Sequence, residues 1–134
     1  MGKIRIRVDW CEHNYCAAPM NEVIACVCTA ETFEGLKKEM EEGLREHIEW
    51  MRKDGDDVPA EFDGEWEFEW CMTTAALLHY TEKLVPKSAI AKVTGINQQQ
   101  LTHYANGYRK PRPAMRAKIV DGIHTIAKEL SAIS

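Results

Sequence analysis

Two segments of this chain alternate apolar and charged side chains, and this period constrains the fold more than any other feature. In residues 3–10 one face carries Ile4, Ile6, Val8 and Trp10, and the other carries Lys3, Arg5, Arg7 and Asp9. In residues 65–72 the apolar set is Trp66, Phe68, Trp70 and Met72, and the charged set is Glu65, Glu67 and Glu69. A period of two is that of a β-strand with one buried face. Each segment is therefore predicted to be a strand in a sheet that is covered on one side.

The residues between these two strands predict two more strands and one long helix. Residues 15–18 and the apolar run 23–29 read as short strands. Thr32 is a good helix N-cap, and an apolar stripe follows at steps of three and four: Phe33, Leu36, Met40, Leu44, Ile48 and Met51. The order is β-β-β-α-β, and a right-handed crossover through the helix returns the last strand parallel to an earlier one. If that neighbour is the first strand, the Lys and Arg row faces the Glu row across the sheet.

Residues 73–134 show helical periods only. They predict helices over residues 73–84, 86–93, 98–105 and 114–131. Gly95 lies in the tight turn between the second and third, and Asn97 is placed to cap the third. The predicted fold class is therefore α+β. A two-layer sheet-plus-helix domain over residues 1–72 is followed by an all-α helix-turn-helix domain over residues 73–134.

Charge separates the two halves. The net charge of the 134-residue chain is only −4. Residues 1–84, however, hold 9 basic and 19 acidic side chains, whereas residues 85–134 hold 8 basic and 2 acidic ones. The halves thus carry −10 and +6, which favours two parts with different partners.

The third predicted helix of the basic half has the chemistry of a DNA-reading helix. Glutamine can grip adenine at N6 and N7, and flanking cations can hold phosphates. No Asp or Glu occurs from residue 98 to 116, whereas a solvated surface helix usually carries some. The candidate DNA-binding residues are Lys87, Asn97, Gln98, Gln99, Gln100, Thr102, His103, Tyr108, Arg109, Lys110 and Arg112.

Residues 86–113 resemble the helix-turn-helix of phage repressors, the Xre class. The matching residues are Ile90-Ala91, Gly95-Ile96, Asn97-Gln98-Gln99, Leu101, Asn106-Gly107 and Lys110-Pro111. The resemblance implies a dimer on palindromic operator DNA. It also implies base reading from the start of the third helix by Gln98, Gln99 and His103, with Thr102 nearby.

The two halves together resemble the HicB family of antitoxins. The local pattern is Tyr15, Cys26 and the run Thr32-Phe33-Glu34-Gly35-Leu36 that opens the long helix. The resemblance implies a partial RNase H-like N-terminal domain, neutralisation of a small basic HicA-type toxin that cleaves mRNA, and repression of the protein's own operon. An acidic surface suits a basic, RNA-binding partner. The candidate partner-binding residues are Asp54, Asp56, Asp57, Glu61 and Asp63. The Glu row of residues 65–69 is a further candidate, for which pairing with the first strand is the competing interpretation.

A nuclease and a stand-alone repressor are the two alternative functions for a chain of this kind. An RNase H-type nuclease needs several carboxylates on one face around two metals. Asp9, Glu67 or Glu69 would need a further carboxylate from the helix, which is predicted to cover the opposite face. A stand-alone repressor with a ligand-sensing N-terminal domain stays open as the alternative. The predictions are no catalytic residue, no cofactor, a homodimer or higher homo-oligomer, no membrane partner and a cytoplasmic location.

Five cysteines, Cys11, Cys16, Cys26, Cys28 and Cys71, are interpreted as small structural residues. Their odd number and irregular spacing are unlike a secreted disulfide framework, and neither close pair has the two-residue spacing of a zinc knuckle. The sequence therefore predicts no metal site.

Overall fold

A computed structural model describes residues 2–134, and the chain divides into two compact units, Met1–Thr73 and Thr74–Ser134. The fold is α+β, with a four-stranded mixed sheet and five α-helices. Residues 1–73 carry 8 basic and 18 acidic side chains, and residues 74–134 carry 9 and 3. The first unit therefore holds −10 and the second +6, so the charge difference coincides with the structural division.

The first unit is built on a sheet of strand order β3-β2-β1-β4. Its strands are β1 (Gly2–Cys11), β2 (Asn14–Pro19), β3 (Cys28–Ala30) and β4 (Trp66–Met72). Strand β4 lies parallel to β1, and the register sets Lys3 beside Glu67 and Arg5 beside Glu69. The prediction that the last strand returns parallel to an earlier one is confirmed, and the structure identifies that neighbour as β1. The Arg5 Nε to Glu69 Oε2 distance is 3.9 Å, and both side chains are about half exposed, so this pair contributes well under about 1 kcal/mol.

The third strand is shorter than predicted. The expected strand over residues 23–29 is wrong for most of its length, because β3 begins only at Cys28. Asn21 forms a turn instead: its side-chain oxygen accepts from the Val23 amide at 3.1 Å, and its carbonyl accepts from the Ile24 amide at 3.1 Å. Ile24 is buried by this turn, whereas Val23 and Val27 remain exposed. The apolar run is therefore a loop with one inward side chain.

Helix α1 (Phe33–Lys53) covers one face of the sheet, as predicted. Thr32 caps it by accepting from the Gly35 amide at 3.0 Å. All six residues of the predicted apolar stripe are buried in the structure. A row of rings from β4 lies on the same side of the sheet, since Phe33 packs edge-on against Trp70 with ring centroids 5.9 Å apart. A short 3-10 helix, Ala60–Phe62, leads back to β4 and buries Phe62.

Gly43, in the middle of α1, offers a first prediction. A Cβ built there would meet the Cys28 and Cys26 sulfurs at 3.8 and 3.9 Å, which is ordinary contact. Because Gly costs about 0.5–1 kcal/mol more than Ala inside a helix, Gly43→Ala is expected to raise the unfolding free energy of the first unit by that amount. All four tryptophans lie in residues 1–73, so denaturant unfolding followed by tryptophan fluorescence measures this unit. A lower unfolding free energy would contradict the packing described here.

The second unit contains four helices around one core. They are α2 (Thr74–Thr81), α3 (Lys87–Thr94), α4 (Gln98–Ala105) and α5 (Pro113–Ser131). Helix α4 has the predicted bounds, and α2 ends three residues before the predicted Leu84. The core side chains come from all four helices and the turn: Leu78, Ile90, Ile96, Leu101, Tyr104, Ala105 and Ile119.

The cysteines of the first hairpin differ from the sequence-based expectation. Cys11 and Cys16 form a disulfide, whereas Cys26, Cys28 and Cys71 are free. The odd number and irregular spacing of the cysteines did not predict this pair. The antiparallel β1–β2 hairpin sets Cys11 opposite Asn14, which brings the Cα atoms of Cys11 and Cys16 to 6.3 Å. Among the helices of residues 2–134, none combines the length and apolar character that a membrane span requires.

Candidate functional site

The turn between α3 and α4 is fixed by backbone and side-chain bonds. Gly95 takes φ 77°, a left-handed conformation that favours glycine, and its amide donates to the Ala91 carbonyl at 2.8 Å. The Thr94 hydroxyl donates to the Ile90 carbonyl at 2.7 Å and accepts from the Ile96 amide at 3.2 Å. Asn97 then caps α4, accepting from the Gln99 amide at 2.8 Å. The predicted turn and cap are confirmed, and together they determine where α4 begins.

The polar side chains of α4 fall into two groups. Gln98 and Gln99 are exposed in the first turn. Gln100 is half-buried, and its Nε2 donates to the Tyr104 hydroxyl at 2.6 Å, so its amide is directed along the helix. The Thr102 hydroxyl donates to the Gln98 carbonyl at 3.1 Å. Of the predicted base readers, Gln98 and Gln99 therefore have the most accessible amides.

The loop after α4 presents the unit's positive charge. Tyr108, Arg109, Lys110 and Arg112 are all exposed, Tyr108 by 80%. The Tyr108 amide donates to the His103 carbonyl at 2.9 Å, and the two rings meet with centroids 5.8 Å apart. The loop is thereby held against the end of α4. Guanidinium and ammonium groups placed beside an uncharged helix face suit the phosphates that flank a groove.

Lys87, also predicted to contact DNA, lies in a different environment. Its Nζ is 2.7 Å from Glu82 Oε1, and its side chain is only 15% exposed. This hydrogen bond is the main cause that lowers the pKa of the Glu82 carboxyl, so the carboxylate form is favoured. The charge of Lys87 is already balanced, and we expect it to contribute less to phosphate binding than Arg109, Lys110 and Arg112.

His79 joins α2 to the end of α4. Its Nε2 lies 2.9 Å from the Ala105 carbonyl, and since a carbonyl only accepts, Nε2 carries the proton. Burial is the main cause that lowers the pKa of His79 below its ordinary 6.5, although the Ala105 carbonyl acts in the opposite direction.

This shift predicts a pH dependence of the second unit. With a depressed pKa, folding favours the neutral ring, so the stabilisation is complete above about pH 6.5 and declines as the pH falls below it. We expect the unfolding free energy from far-ultraviolet circular dichroism to fall on acidification in the wild type. His79→Gln keeps a donor for Ala105 and should flatten that dependence. His124, which is exposed on α5, provides the control, because His124→Gln also removes an imidazole. If the unfolding free energy of His79→Gln depends on pH as strongly as that of the wild type, His79 is not the group responsible.

The predicted partner-binding carboxylates differ in their exposure and in their contacts. Asp54, Asp56 and Asp57 are exposed directly after α1. Glu61 instead accepts from Asn21 Nδ2 at 2.6 Å, and Asp63 lies 3.7 Å from the Arg52 guanidinium. The structure thus commits Glu61 to a contact inside the unit. Asp54, Asp56, Asp57 and Asp63 remain accessible, since the Asp63 side chain is 68% exposed despite its ion pair with Arg52.

Sequence reasoning missed an exposed aromatic next to that acidic segment. Trp50 is 60% exposed in the last turn of α1, and the Asp54 amide donates to its carbonyl at 3.0 Å. Tryptophan is enriched at the centres of protein interfaces. The signal is in the sequence, because Trp50 falls outside the apolar stripe that the helix buries.

Asp9, the carboxylate on β1 that a nuclease site would use, has hydrogen-bond partners inside the first unit. Asp9 accepts from the Thr73 hydroxyl and from the Trp10 amide, each at 2.8 Å. Within residues 2–134, no three His, Cys, Asp or Glu side chains converge as a metal site would require. Burial, with smaller effects of Cys26 and Glu39, raises the pKa of the Cys28 thiol to about 11, so that sulfur is a protonated thiol at neutral pH.

No protein-family model, no curated protein and no solved structure matches this chain. The functional interpretation of both surfaces therefore rests on their own residues and geometry.

Proposed function

We propose that this protein is a HicB-type antitoxin whose second unit is a helix-turn-helix that binds DNA and represses its own operon. The observation that carries the proposal is the exposed, acid-free face of α4, with Gln98 and Gln99 in its first turn and the basic loop behind it. In this reading α3 and α4 are the two helices of the motif, and Gly95 forms its turn. The first unit is then the partial RNase H-like domain that binds a basic toxin.

Gln99→Ala tests the DNA-binding part. A bidentate glutamine contact is worth about 1–3 kcal/mol of base discrimination, which is about 5- to 150-fold in affinity. We expect that loss on duplex DNA from upstream of the protein's own coding sequence, with a relaxed preference at one base position. The measurement is fluorescence anisotropy at constant salt. Gln100→Ala is the matched control, because that amide is bonded to Tyr104, and equal losses in the two variants would contradict the assignment.

The antitoxin part rests on charge. The first unit carries −10, and the exposed Asp54, Asp56 and Asp57 begin four residues after the exposed Trp50. A protein that binds RNA needs a basic surface, and an opposed acidic surface speeds its association and covers that surface. The homo-oligomeric state is part of the proposal, since a dimer matches a palindromic operator.

Co-expression tests this part directly. The partner to use is the product of a short, basic reading frame beside this gene, expressed with and without the full chain. We expect the partner alone to stop growth, the pair to restore it, and the two proteins to purify together. A partner that is harmless, or that stays toxic and does not co-purify, would exclude the antitoxin and leave a stand-alone repressor.

A further inference from the structure

Strand β4 is an open edge of the sheet. Within residues 2–134 the strand order is β3-β2-β1-β4, so β4 pairs on one side only. It offers seven residues, whereas the other edge strand, β3, has three. A long unpaired edge is a template for another strand. The Glu residues along β4 are also charges of the kind that prevents unwanted pairing, so only a strand with complementary charge fits this edge.

The odd- and even-numbered residues of β4 direct their backbone N–H and C=O groups to opposite sides of the strand. The Gly2 amide donates to the Glu65 carbonyl at 3.2 Å, and the Thr73 amide donates to the Val8 carbonyl at 2.9 Å. Since successive residues of a strand direct their N–H and C=O groups to opposite sides, the odd residues of β4 face β1. The amides and carbonyls of Trp66, Phe68 and Trp70 therefore point to the open edge.

The side chains of β4 also alternate, with aromatic rings on one face of the sheet and Glu residues on the other. The rings of Trp66 and Phe68 lie 5.2 Å apart and those of Phe68 and Trp70 lie 5.3 Å apart, all of them half-buried on the α1 side. Glu67 and Glu69 are exposed on the opposite face. A strand added at this edge would cover the flank of the aromatic row and set its other side chains next to the Glu row.

Charge decides which strand fits. A second copy of β4 would bring its own Glu row beside this one, and like charges on neighbouring strands are destabilising. A segment with Lys or Arg at every second position instead meets the carboxylates, as Arg5 of β1 already does with Glu69 at 3.9 Å. We infer that the open edge of β4 receives an extended basic segment of the partner protein as a fifth strand. This inference rests on the proposed antitoxin function and specifies its binding surface.

Amide hydrogen exchange followed by NMR tests the inference on the full chain, alone and with the co-expressed basic partner. In the complex, the Phe68 and Trp70 amides should exchange at least tenfold more slowly, whereas Glu67 and Glu69, already bonded to β1, should change little. If a complex forms but the Phe68 and Trp70 amides exchange as fast as in the free chain, the inference about the β4 edge is wrong, whereas the antitoxin proposal stands. If no complex forms, both the edge and the antitoxin proposal fail. If the Phe68 and Trp70 amides already exchange slowly in the free chain and the chain is a dimer in solution, the β4 edge pairs with a second copy and the inference is wrong.

A charge-reversal pair provides a second, independent readout. Glu67→Lys on β4 and Glu42→Lys on the exposed face of α1 change the net charge equally. We expect Glu67→Lys to weaken the partner's affinity at least tenfold more than Glu42→Lys does, with circular dichroism confirming that both variants fold. Equal weakening by the two variants would mean that only the overall charge matters, and would overturn the inference.

Discussion

Replacing the three cations of the loop after α4, as Arg109→Gln, Lys110→Gln and Arg112→Gln together, is expected to lower the affinity for every DNA sequence about 100-fold at physiological salt. Each phosphate contact releases about 0.9 counterion, so the slope of log affinity against log salt should become shallower by about 2.7. All three side chains are exposed, and the unfolding free energy should therefore stay near the wild-type value. Anisotropy titrations at several salt concentrations measure both quantities.

A second triple variant separates local contacts from the general field of the unit. Lys83→Gln, Lys118→Gln and Lys128→Gln remove the same charge from exposed positions outside the loop. We expect a clearly smaller loss of affinity and little change in the salt slope. Equal losses in the two triple variants would show that the loop makes no special contact with phosphates.

Gly122→Ala is expected to lower the unfolding free energy of the second unit by about 1–3 kcal/mol. A Cβ on Gly122 would overlap the Cγ2 methyl of Thr94, which is buried on α3. Thr94 cannot turn away easily, because its hydroxyl is bonded to the Ile90 carbonyl and to the Ile96 amide. The clash therefore acts where α5 packs on α3, at the residue that fixes the turn before α4, so DNA affinity should fall as well.

Thr94→Ser provides the test of this mechanism. Serine keeps the hydroxyl and both of its bonds but removes the methyl that Gly122→Ala would strike. In the Thr94→Ser background, Gly122→Ala should therefore cost clearly less than it does in the wild type, which a double-mutant cycle measures. Far-ultraviolet circular dichroism is the appropriate signal, because most of the helical residues lie in the second unit, whereas every tryptophan lies in the first. The same cost in both backgrounds would exclude the Thr94 contact as the cause.

Regular periods made most of the fold predictable. Strand β1 and helix α1 each bury one continuous face, and β4 half-buries its apolar face, so their periods are visible in the residues themselves. The parallel direction of β4 followed from the connection through α1, whereas its place beside β1 is known only from the structure. Strand β3 was mispredicted because the β-branched residues Val23 and Val27 favour extended structure, whereas Asn21 forms a turn through bonds that apolar periodicity does not report.

Contacts across loops and hairpins account for what sequence reasoning missed at the sites. The Lys87–Glu82 pair joins residues on either side of the α2–α3 connection, and it becomes apparent only once that connection is folded. The Cys11–Cys16 pairing depends on the register of the β1–β2 hairpin, which the spacing alone leaves undetermined. Gln100 occupies the same polar run as Gln99, but a helical step of four places it beside Tyr104.

The most direct measurement of the central claim is the specificity ratio of the full chain for DNA. Fluorescence anisotropy at physiological salt compares a duplex from upstream of the protein's own coding sequence with a shuffled duplex of the same composition. We predict that the upstream duplex binds at least about 1,000-fold more tightly, with Gln99→Ala reducing that ratio. Equal affinity for the two duplexes, in a protein that is folded by circular dichroism, would contradict the assignment of α4 as a DNA-reading helix.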